Sequence, residues 1–313
     1  MVGTEFVIRP GKHEDLPLTF ALAERGLHAV GQRMGVLAAG PPPTEADIRT
    51  HWGTERSLFE FLASLPGGSY WVAEGRTRIV AFARVARVGG VDNLTELFVD
   101  DEYQGRGLGR QLLRKCWNDS ASVVPRIIVA AGAPADLTTY TGVGTAPVAG
   151  HWNVVQRAVT YRERRAREEP PLMRTQPLDP KRALREWERP EPLALGHARP
   201  ELHRHFRSRV CVAGSDERSA DVNAVCWLGA DGAIGPGVAT TPDALVHLVV
   251  AILDGEAAAG RELLQLFVPT VNTTLLFRLR ALGFQVRWPS WIMSSFPLPG
   301  LDRYLPTWPA WIL

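Results

Sequence analysis

Three glycines that alternate with other residues, Gly105, Gly107 and Gly109, limit what the surrounding segment can fold into. The residues before them end an apolar, strand-like stretch, and the residues after them repeat apolar side chains at helical spacing up to Trp117. Glycines between a strand and a helix let the backbone adopt positive φ and approach a ligand closely. Residues 94–117 therefore predict a strand, a ligand-facing loop and an amphipathic helix.

The predicted helix start favours an anionic ligand. Its unpaired N–H groups and the helix dipole attract a group such as a pyrophosphate, and Arg106 and Arg110 add cationic donors. Two common phosphate loops do not fit. A Walker loop ends in Gly-Lys-Ser/Thr, whereas Arg110 and Gln111 follow Gly109, and the dinucleotide fingerprint needs a glycine where Arg110 stands.

The elements around this segment predict the domain organisation. Two strand patterns joined by a glycine turn precede it, over 70–74 and 78–85, and another strand, 126–130, follows it. After a proline-rich, charged stretch the order returns, with strands near 222–228, 233–239 and 262–268 and helices near 243–253 and 271–282. We predict an α/β fold of two tandem mixed-sheet units flanked by helices: a domain of residues 1–160, a linker or crossover of 161–189, and a second domain of 190–313.

Composition excludes several classes of protein. The 313 residues are 45% hydrophobic and 22% charged, which is typical of two globular domains, and a net charge of +2 argues against a nucleic-acid or membrane-surface partner. Three widely spaced cysteines form neither a disulfide framework nor a metal pair, so no metal is expected. We found no signal-peptide pattern and no apolar run of about 18 residues, so a cytoplasmic location is expected.

The residues of the glycine segment resemble a known family. Gln104-Gly-Arg-Gly-Leu-Gly109 is similar to the Q/R-x-x-G-x-G/A signature of the GNAT superfamily of acyl-CoA N-acyltransferases, and 97–103 is similar to the strand and loop before it. The resemblance implies that acetyl-CoA or a related acyl-CoA binds as co-substrate. Its pyrophosphate would lie on the loop and helix start, which comprise Gln104, Gly105, Arg106, Gly107, Leu108, Gly109 and Arg110. Its pantetheine arm would pair with the backbone of Leu97, Phe98 and Val99.

The resemblance also implies two catalytic residues. Tyr140 stands four residues before Gly144, where the family often has a tyrosine that protonates the leaving thiolate; Ala133 replaces the family's asparagine and Thr145 its phenylalanine. The alternative for Tyr140 is a structural tyrosine. Glu96, on the strand before the loop and predicted to share a face with Leu94 and Phe98, would take the ammonium proton of an amine.

Several alternatives remain open at this stage. Glu96 can equally be a surface or ion-paired glutamate, in which case Asp92 is the fallback base. His151 and Trp152 either line the acceptor pocket or form a buried hydrogen-bonded pair. The basic stretch 161–170 is interleaved with glutamates, which favours a solvated helix end over a phosphate-binding patch.

The second half resembles the family in a different way. Residues 272–284 are similar to its late helix and the Gly-Phe that follows, but Leu279 stands where the family's tyrosine falls, and the second half has no glycine signature. The second unit is therefore predicted to be degenerate, which places the acyl-CoA site in the first half.

The resemblance implies direct N-acyl transfer, such as N-acetylation, from acyl-CoA to a small-molecule or peptide amine. A non-catalytic CoA-binding sensor or scaffold is the alternative, and Ala133 and Thr145 favour it. A third possibility, by analogy with tandem members of the family, is one site formed by both halves. The sequence does not determine the amine, the acyl chain length or the oligomeric state.

Overall fold

The structure is a computed structural model, and it describes residues 6–117, 124–168, 173–216, 221–308 and 311–313. The chain divides into two compact units, Met1–Thr145 and Ala146–Leu313. This division falls before the boundary expected near residue 160, because the strand that begins at Ala146 packs within the second unit.

The described residues of the first unit form five strands and four α-helices. In chain order they are β1 (Phe6–Pro10), α1 (Leu16–Arg33), α2 (Glu45–Ser64), β2 (Ser69–Gly75), β3 (Ile79–Val88), β4 (Val91–Val99), α3 (Leu108–Cys116), β5 (Arg126–Ala130) and α4 (Pro134–Thr141). The strands follow the order β1-β2-β3-β4-β5, antiparallel except for the parallel pair β4–β5. This is the mixed sheet flanked by helices that the sequence predicts for the first half.

The core of the first unit explains why its strands read as apolar runs. β3 is buried almost along its whole length, because helices cover both of its faces. On one face Ala81 and Ala83 pack with Leu108 and Leu112 of α3, and on the other face Phe82 contacts the ring of Tyr70 edge-on. Burying a side chain such as leucine stabilises the fold by about 1.5–3 kcal/mol.

The second unit contains eight strands and six helices among its described residues. In chain order they are β6 (Ala146–Arg157), α5 (Ala158–Arg165), β7 (Met173–Leu178), α6 (Pro180–Glu188), α7 (Pro190–Leu195), α8 (Pro200–His205), β8 (Val210–Asp216), β9 (Val222–Leu228), β10 (Ile234–Ala239), α9 (Pro242–Ala258), β11 (Leu263–Pro269), α10 (Thr273–Ala281), β12 (Gln285–Ser294) and β13 (Tyr304–Leu305). One set of strands follows the order β13-β10-β9-β8-β7, and in the other β6 lies between β12 and β11.

Two observations in the second unit differ from the sequence-based expectation. The stretch 161–189, expected as a linker or crossover, carries most of α5, all of β7 and all of α6. Tyr161 is fully buried, and its hydroxyl donates to Asp254 at 2.7 Å, so this stretch is anchored to α9. β6 joins the second unit because Val154 packs in the same core as Leu264 and Leu266 of β11.

Candidate functional site

The loop between β4 and α3 holds two of its glycines in a left-handed conformation. Gly105 and Gly107 both have φ of +74°. A Cβ atom built on either would meet no heavy atom within 4 Å, so the space beside both backbones is open. Conformation, rather than crowding, therefore requires glycine at these two positions. Gly109 has helical backbone, and a Cβ there would make only ordinary contacts with Val99 and Leu97.

The start of α3 presents unpaired backbone donors. The first bond of the helix runs from the N–H of Gln111 to the carbonyl of Gly107, so the amides of Leu108, Gly109 and Arg110 precede it. Gly107 is the N-cap, and no side chain caps this helix start. Three free amides at the positive end of a helix dipole form an anion-binding geometry.

Side chains of the loop hold its shape and supply positive charge. The Nε2 of Gln104 donates to the carbonyl of Val99 at 3.0 Å and to Asp101 Oδ1 at 2.7 Å, which ties the loop to the end of β4. The guanidinium of Arg106 lies 5.5 Å from the ring centre of Tyr103, a cation–π distance. Arg110 is exposed on the first turn of α3. Of the predicted loop residues, Gln104 therefore turns toward the protein, while Arg110 faces solvent.

The last residues of β4 are held between two helices. Leu97 and Val99 pack on the side of α3, beside Leu108. Phe98 points to the opposite face, where its ring stacks on Phe82 at 5.8 Å between centroids. On that face α1 approaches so closely that a Cβ on Gly26 would lie 2.7 Å from the Phe98 ring. The backbone of Leu97, Phe98 and Val99 is therefore fixed on both faces.

The edge of β4 next to β5 is paired over only part of its length. Asp92, Asn93 and Leu94 pair with β5, and from Thr95 to Val99 no described residue of β5 pairs with β4. The other edge of β4 is paired with β3 up to Val99. The two parallel strands thus separate at the place where the resemblance implies that the pantetheine arm binds, and β4 offers a free strand edge there.

Glu96 does not lie on the face that simple alternation predicts. Arg84 pairs with Glu96 and Val85 pairs with Leu94, so Thr95 is the extra residue of a β-bulge. The bulge reverses the alternation, and Glu96 shares a face with Phe98 but not with Leu94. The predicted common face of all three residues is wrong for this reason.

The surroundings of Glu96 are those of a buried ion pair. The carboxylate is 3% exposed, and the guanidinium of Arg84, which is 1% exposed, donates to both of its oxygens. The Thr95 hydroxyl also donates to it. Arg84 lies 4.8 Å from the ring centre of Phe59 and 5.2 Å from that of Tyr70. Both oxygens of Glu96 are therefore engaged by the protein itself.

Asp92, the fallback base, is engaged in the same manner. It is 3% exposed, and Arg87 donates to its two oxygens at 2.7 and 3.2 Å. It lies on the part of β4 that pairs with Arg126 of β5. Asp92 is therefore a structural partner of Arg87 at the closed end of the strand pair.

Tyr140 lies in the last turn of α4 and is largely buried. Burial raises the pKa of its hydroxyl above the ordinary value, and the negative charge of Asp136 raises it further. Its carbonyl accepts the Thr145 hydroxyl at 2.8 Å, so Thr145 closes the helix end. No hydrogen-bond partner of the Tyr140 hydroxyl is found among the described residues. A protonated phenol without a protein partner is a suitable proton donor.

Asp136 is a functional candidate that sequence reasoning missed. It occupies the third position of α4, four residues before Tyr140, which places both side chains on one helix face. This spacing, Asp-x-x-x-Tyr ahead of Gly144, was the available signal, but it gains meaning only if the segment is helical.

Two further candidates lie in the second unit, and there His151 is bonded to Ser290 and not to Trp152. His151 is fully buried, stacks on Phe267 at 4.5 Å and lies 3.0 Å from the Ser290 hydroxyl. Burial lowers its pKa to about 3, so it is neutral. In the basic stretch 161–168, Arg165 pairs with Asp254, in line with the interpretation as a helix end with oppositely charged neighbours.

The part of the chain that contains this geometry is similar to a known protein family. Residues 66–139, which include β4, the glycine loop and α3, match the family model of the acetyltransferase (GNAT) domain. A search of curated proteins finds no match.

Solved structures resemble the chain over nearly its whole length. A putative acetyltransferase from Pyrococcus horikoshii has a TM-score of 0.66 at 15% identity, covering 97% of this chain and 94% of that one. A GCN5-related N-acetyltransferase from Sphaerobacter thermophilus has a TM-score of 0.61 at 17% identity, covering 94% and 96%. A tandem GNAT protein from the clavulanic acid biosynthesis pathway has a TM-score of 0.59 at 14% identity, covering 94% and 99%.

The chain has a GNAT-superfamily fold, with two sheets flanked by helices. Over nearly its whole length this fold is similar to that of a tandem GNAT protein. No helix in the described part of the chain is long and apolar enough to cross a membrane. Nor do the described residues bring together three His, Cys, Asp or Glu side chains that could hold a metal ion.

Proposed function

We propose that the protein is an N-acyltransferase that moves an acyl group, such as acetyl, directly from acyl-CoA to an amine at a site in the first unit. The observation that carries the proposal is the free amide start of α3 beside the unpaired edge of β4. The first feature suits a pyrophosphate and the second suits an amide-bearing chain such as pantetheine. The acetyltransferase and N-acetyltransferase names of two structural neighbours are consistent with it.

The residues of the site suit the chemistry of a thioester. Backbone N–H groups near Phe98 and Val99 would stabilise the negative charge that develops on the thioester carbonyl. Tyr140 would donate its phenolic proton to the departing thiolate, because it is protonated and has no described protein partner. Leu97, Phe98 and Val99 with the segment 104–110 remain the proposed cofactor residues.

The proposed catalytic role of Glu96 meets an obstacle in its surroundings. A carboxylate whose oxygens both accept bonds from Arg84 has little capacity to accept a substrate proton. We therefore keep Glu96 as a candidate whose contribution a variant must decide.

Other parts of the proposal concern partners and location. The acceptor would be a small-molecule or peptide amine, without nucleic acid or membrane. The free cysteines fit a reducing, cytoplasmic compartment.

A non-catalytic CoA-binding sensor or scaffold is the second candidate function. Two observations favour it: Ala133 and Thr145 depart from the family pattern next to Tyr140, and Glu96 is locked by Arg84. A sensor would use the same loop and strand edge without turning over the thioester.

The test combines binding with turnover. Calorimetry of the full chain with acetyl-CoA reports binding, and a thiol-reactive chromogen reports release of CoA with phenethylamine, spermidine, glucosamine and L-lysine. The enzyme predicts binding and amine-dependent thiol release. Binding without release for every amine would favour the sensor, and absence of binding would refute both.

A further inference from the structure

Three carboxylates of the first unit that are candidate bases, Glu96, Asp92 and Asp136, differ in what holds them. Glu96 is bonded through both oxygens to Arg84, and Asp92 is bonded through both oxygens to Arg87. Asp136, in the first turn of α4, forms no ion pair within 4 Å with any described residue. Of the three, only Asp136 keeps a carboxylate that a substrate can reach.

Few groups of the described chain act on the Asp136 carboxylate. The backbone N–H of Ala133, the N-cap residue, donates to it from its own helix. The positive charge of Arg33, at the end of α1, also acts on the carboxylate. The guanidinium of Arg33 itself forms an exposed ion pair with Asp101 at 3.4 Å. Tyr140 completes the set. Burial raises the pKa of Asp136 above its ordinary value, and the Ala133 bond and the Arg33 charge oppose this only in part.

Asp136 and Tyr140 lie four residues apart in α4, on the same face of the helix. Residues four apart on a helix lie side by side, and the charge of Asp136 raises the pKa of the Tyr140 hydroxyl. A half-buried carboxylate with a raised pKa thus lies next to a phenol that keeps its proton. Two neighbouring titratable groups, one of which accepts a proton while the other donates one, are typical of general acid–base catalysis.

We propose that Asp136 is the group that accepts the ammonium proton of the amine substrate, a role that rests on the proposed N-acyltransferase function. In the first step the proton moves from R–NH3+ to the Asp136 carboxylate, which leaves a neutral amine. The nitrogen lone pair then forms the C–N bond at the thioester carbonyl, and the C–S bond breaks with its electron pair going to sulfur. The Tyr140 hydroxyl protonates that sulfur, and the phenolate regains a proton from the new amide nitrogen. Asp136 releases its proton to solvent.

The decisive variant is Asp136→Asn. Asparagine keeps an oxygen that can accept the Ala133 N–H, so the helix start is preserved and only the proton acceptor is removed. We expect kcat/KM for acetyl-CoA with the fastest amine of the panel to fall about 10²–10⁴-fold at pH 7. We also expect its pH profile to lose the acid limb due to Asp136 and to rise steadily toward the pKa of the amine. Acetyl-CoA affinity should not change.

A matched control separates catalysis from helix capping. Asp47 occupies the same third position of α2, and its carboxylate accepts the N–H of Thr44 at 3.0 Å. Asp47→Asn should leave kcat/KM and its pH profile unchanged. An Asp136→Asn enzyme that keeps more than half of the wild-type kcat/KM, or an unchanged pH profile, would overturn the inference while leaving the proposed function intact.

A second measurement needs no amine. A carbon-13 titration of the Asp136 carboxyl in the full chain with saturating CoA, assigned by the signal missing in Asp136→Asn, should give a midpoint above about 3.9, the ordinary aspartate value. A midpoint at or below that value contradicts the role of Asp136 even if no amine of the panel reacts. Failure of acetyl-CoA to bind the wild-type chain would instead refute the proposed function.

Discussion

The two units contain helices and strands in the same order, but they differ at the helix that follows the second strand of that order. Its start has no capping side chain in the first unit and is capped in the second. In the first unit β3, β4, α3, β5 and α4 follow one another, and in the second unit β9, β10, α9, β11 and α10 do the same. α3 begins at Gly107 with no capping side chain. α9 begins after Thr241, whose hydroxyl accepts the N–H of Ala244 at 3.2 Å, and Pro242 has no N–H at all. The start of α9 therefore has fewer unpaired donors than the start of α3.

The strand edges differ in the same sense. β4 is unpaired beyond Leu94 on the side of β5, whereas β10 pairs with β13 through Gly237 with Leu305 and Val238 with Tyr304. The packing there is tight enough that a Cβ on Gly235 would lie 2.1 Å from the Pro306 carbonyl oxygen. A segment of the second unit thus occupies the edge that the first unit leaves free. The same order of elements can therefore leave a helix start and a strand edge free for a ligand or pair them within the protein, depending on a few residues.

The first prediction concerns stoichiometry, because the comparison is between a complete site and none. Acetyl-CoA should bind the full chain with one site per chain in a calorimetric titration. The reason is that Thr241 and Pro242 leave fewer free amides at the start of α9, and β13 pairs with part of the edge of β10. Two equivalent sites per chain would break the comparison, since the second unit would then bind despite β13.

The second prediction tests the glycine loop. Gly107→Glu should weaken acetyl-CoA binding by more than about 100-fold, or about 2.8 kcal/mol. The carboxylate would enter the open space beside the helix start and repel the pyrophosphate. Calorimetry on the purified variant measures the loss.

Its control is a glycine of the second unit with the same backbone constraint. Gly260 has φ of +86° and equally open surroundings. Gly260→Glu should therefore carry a similar conformational strain of about 1–2 kcal/mol, with acetyl-CoA affinity unchanged. Equal binding losses in both variants would mean that strain, not the site, is responsible.

The third prediction tests whether Tyr140 is the proton donor. Tyr140→Phe keeps the packing of the ring and removes the proton donor, so kcat should fall about 10²–10⁴-fold, or roughly 3–5 kcal/mol of barrier. Acetyl-CoA affinity should stay the same. Steady-state rates and calorimetry measure the two quantities.

A buried tyrosine of the second unit gives the matched comparison. The Tyr161 hydroxyl donates to Asp254, so Tyr161→Phe should reduce the free energy of unfolding by about 1.5–3 kcal/mol, as expected for a hydrogen bond to a charged group, and leave kcat unchanged. If Tyr140→Phe behaves as Tyr161→Phe does, Tyr140 is structural and solvent protonates the thiolate.

Sequence reasoning succeeded where the cause is local. The start of α3 was predicted within one residue, because the glycines that need positive φ and the apolar helical spacing both lie inside the segment. Local patterns also predicted β2 to β5 of the first unit and β9, β10 and β11 of the second, but not β6, β7 or β8. The cofactor loop, which depends on backbone conformation, is the part of the candidate site that a sequence predicts best.

Contacts distant in sequence account for what was missed. The face of Glu96 depends on a bulge set by the pairing of β3 with β4, and no single-strand pattern reveals the extra residue Thr95. β13 has only two residues, so its pairing with β10 leaves no periodic signal. Asp136 gains significance from a turn of helix that places it beside Tyr140. These features arise from register and packing, which periodicity does not encode.

The fourth prediction uses the buried ion pair that each unit contains. Glu96 pairs with Arg84 in the first unit, and Glu191 pairs with Arg199 in the second, with all four side chains about 1% exposed. Glu96→Gln and Glu191→Gln should each lower the free energy of unfolding by about 3–5 kcal/mol, because a buried guanidinium loses its counter-charge. Denaturant unfolding measures both. If Glu96→Gln alone also lowers kcat per folded molecule and shifts its pH profile, Glu96 takes part in catalysis.

The last prediction concerns acid stability, which the second unit should limit. Burial lowers the pKa of His151 to about 3 and that of His197 to about 4, from an ordinary value of 6.5. Below pH 6.5 the unfolded chain binds protons that the folded histidines do not bind, so the free energy of unfolding falls as pH decreases. Each histidine contributes about 1.4 kcal/mol per pH unit between 6.5 and its folded pKa. Burial also lowers the pKa of His205, which adds to this slope. His151→Phe, which keeps a ring against Phe267, should remove the contribution of His151 and so reduce the slope between pH 6 and pH 4.5. Hydrogen exchange of the slowest amides in β6 and β11 measures that slope, and His51→Phe, at an exposed position of the first unit, is the control.

An unchanged slope in His151→Phe would mean that His151 gains protons without unfolding the second unit. The difference in acid sensitivity between the two units would then have another cause.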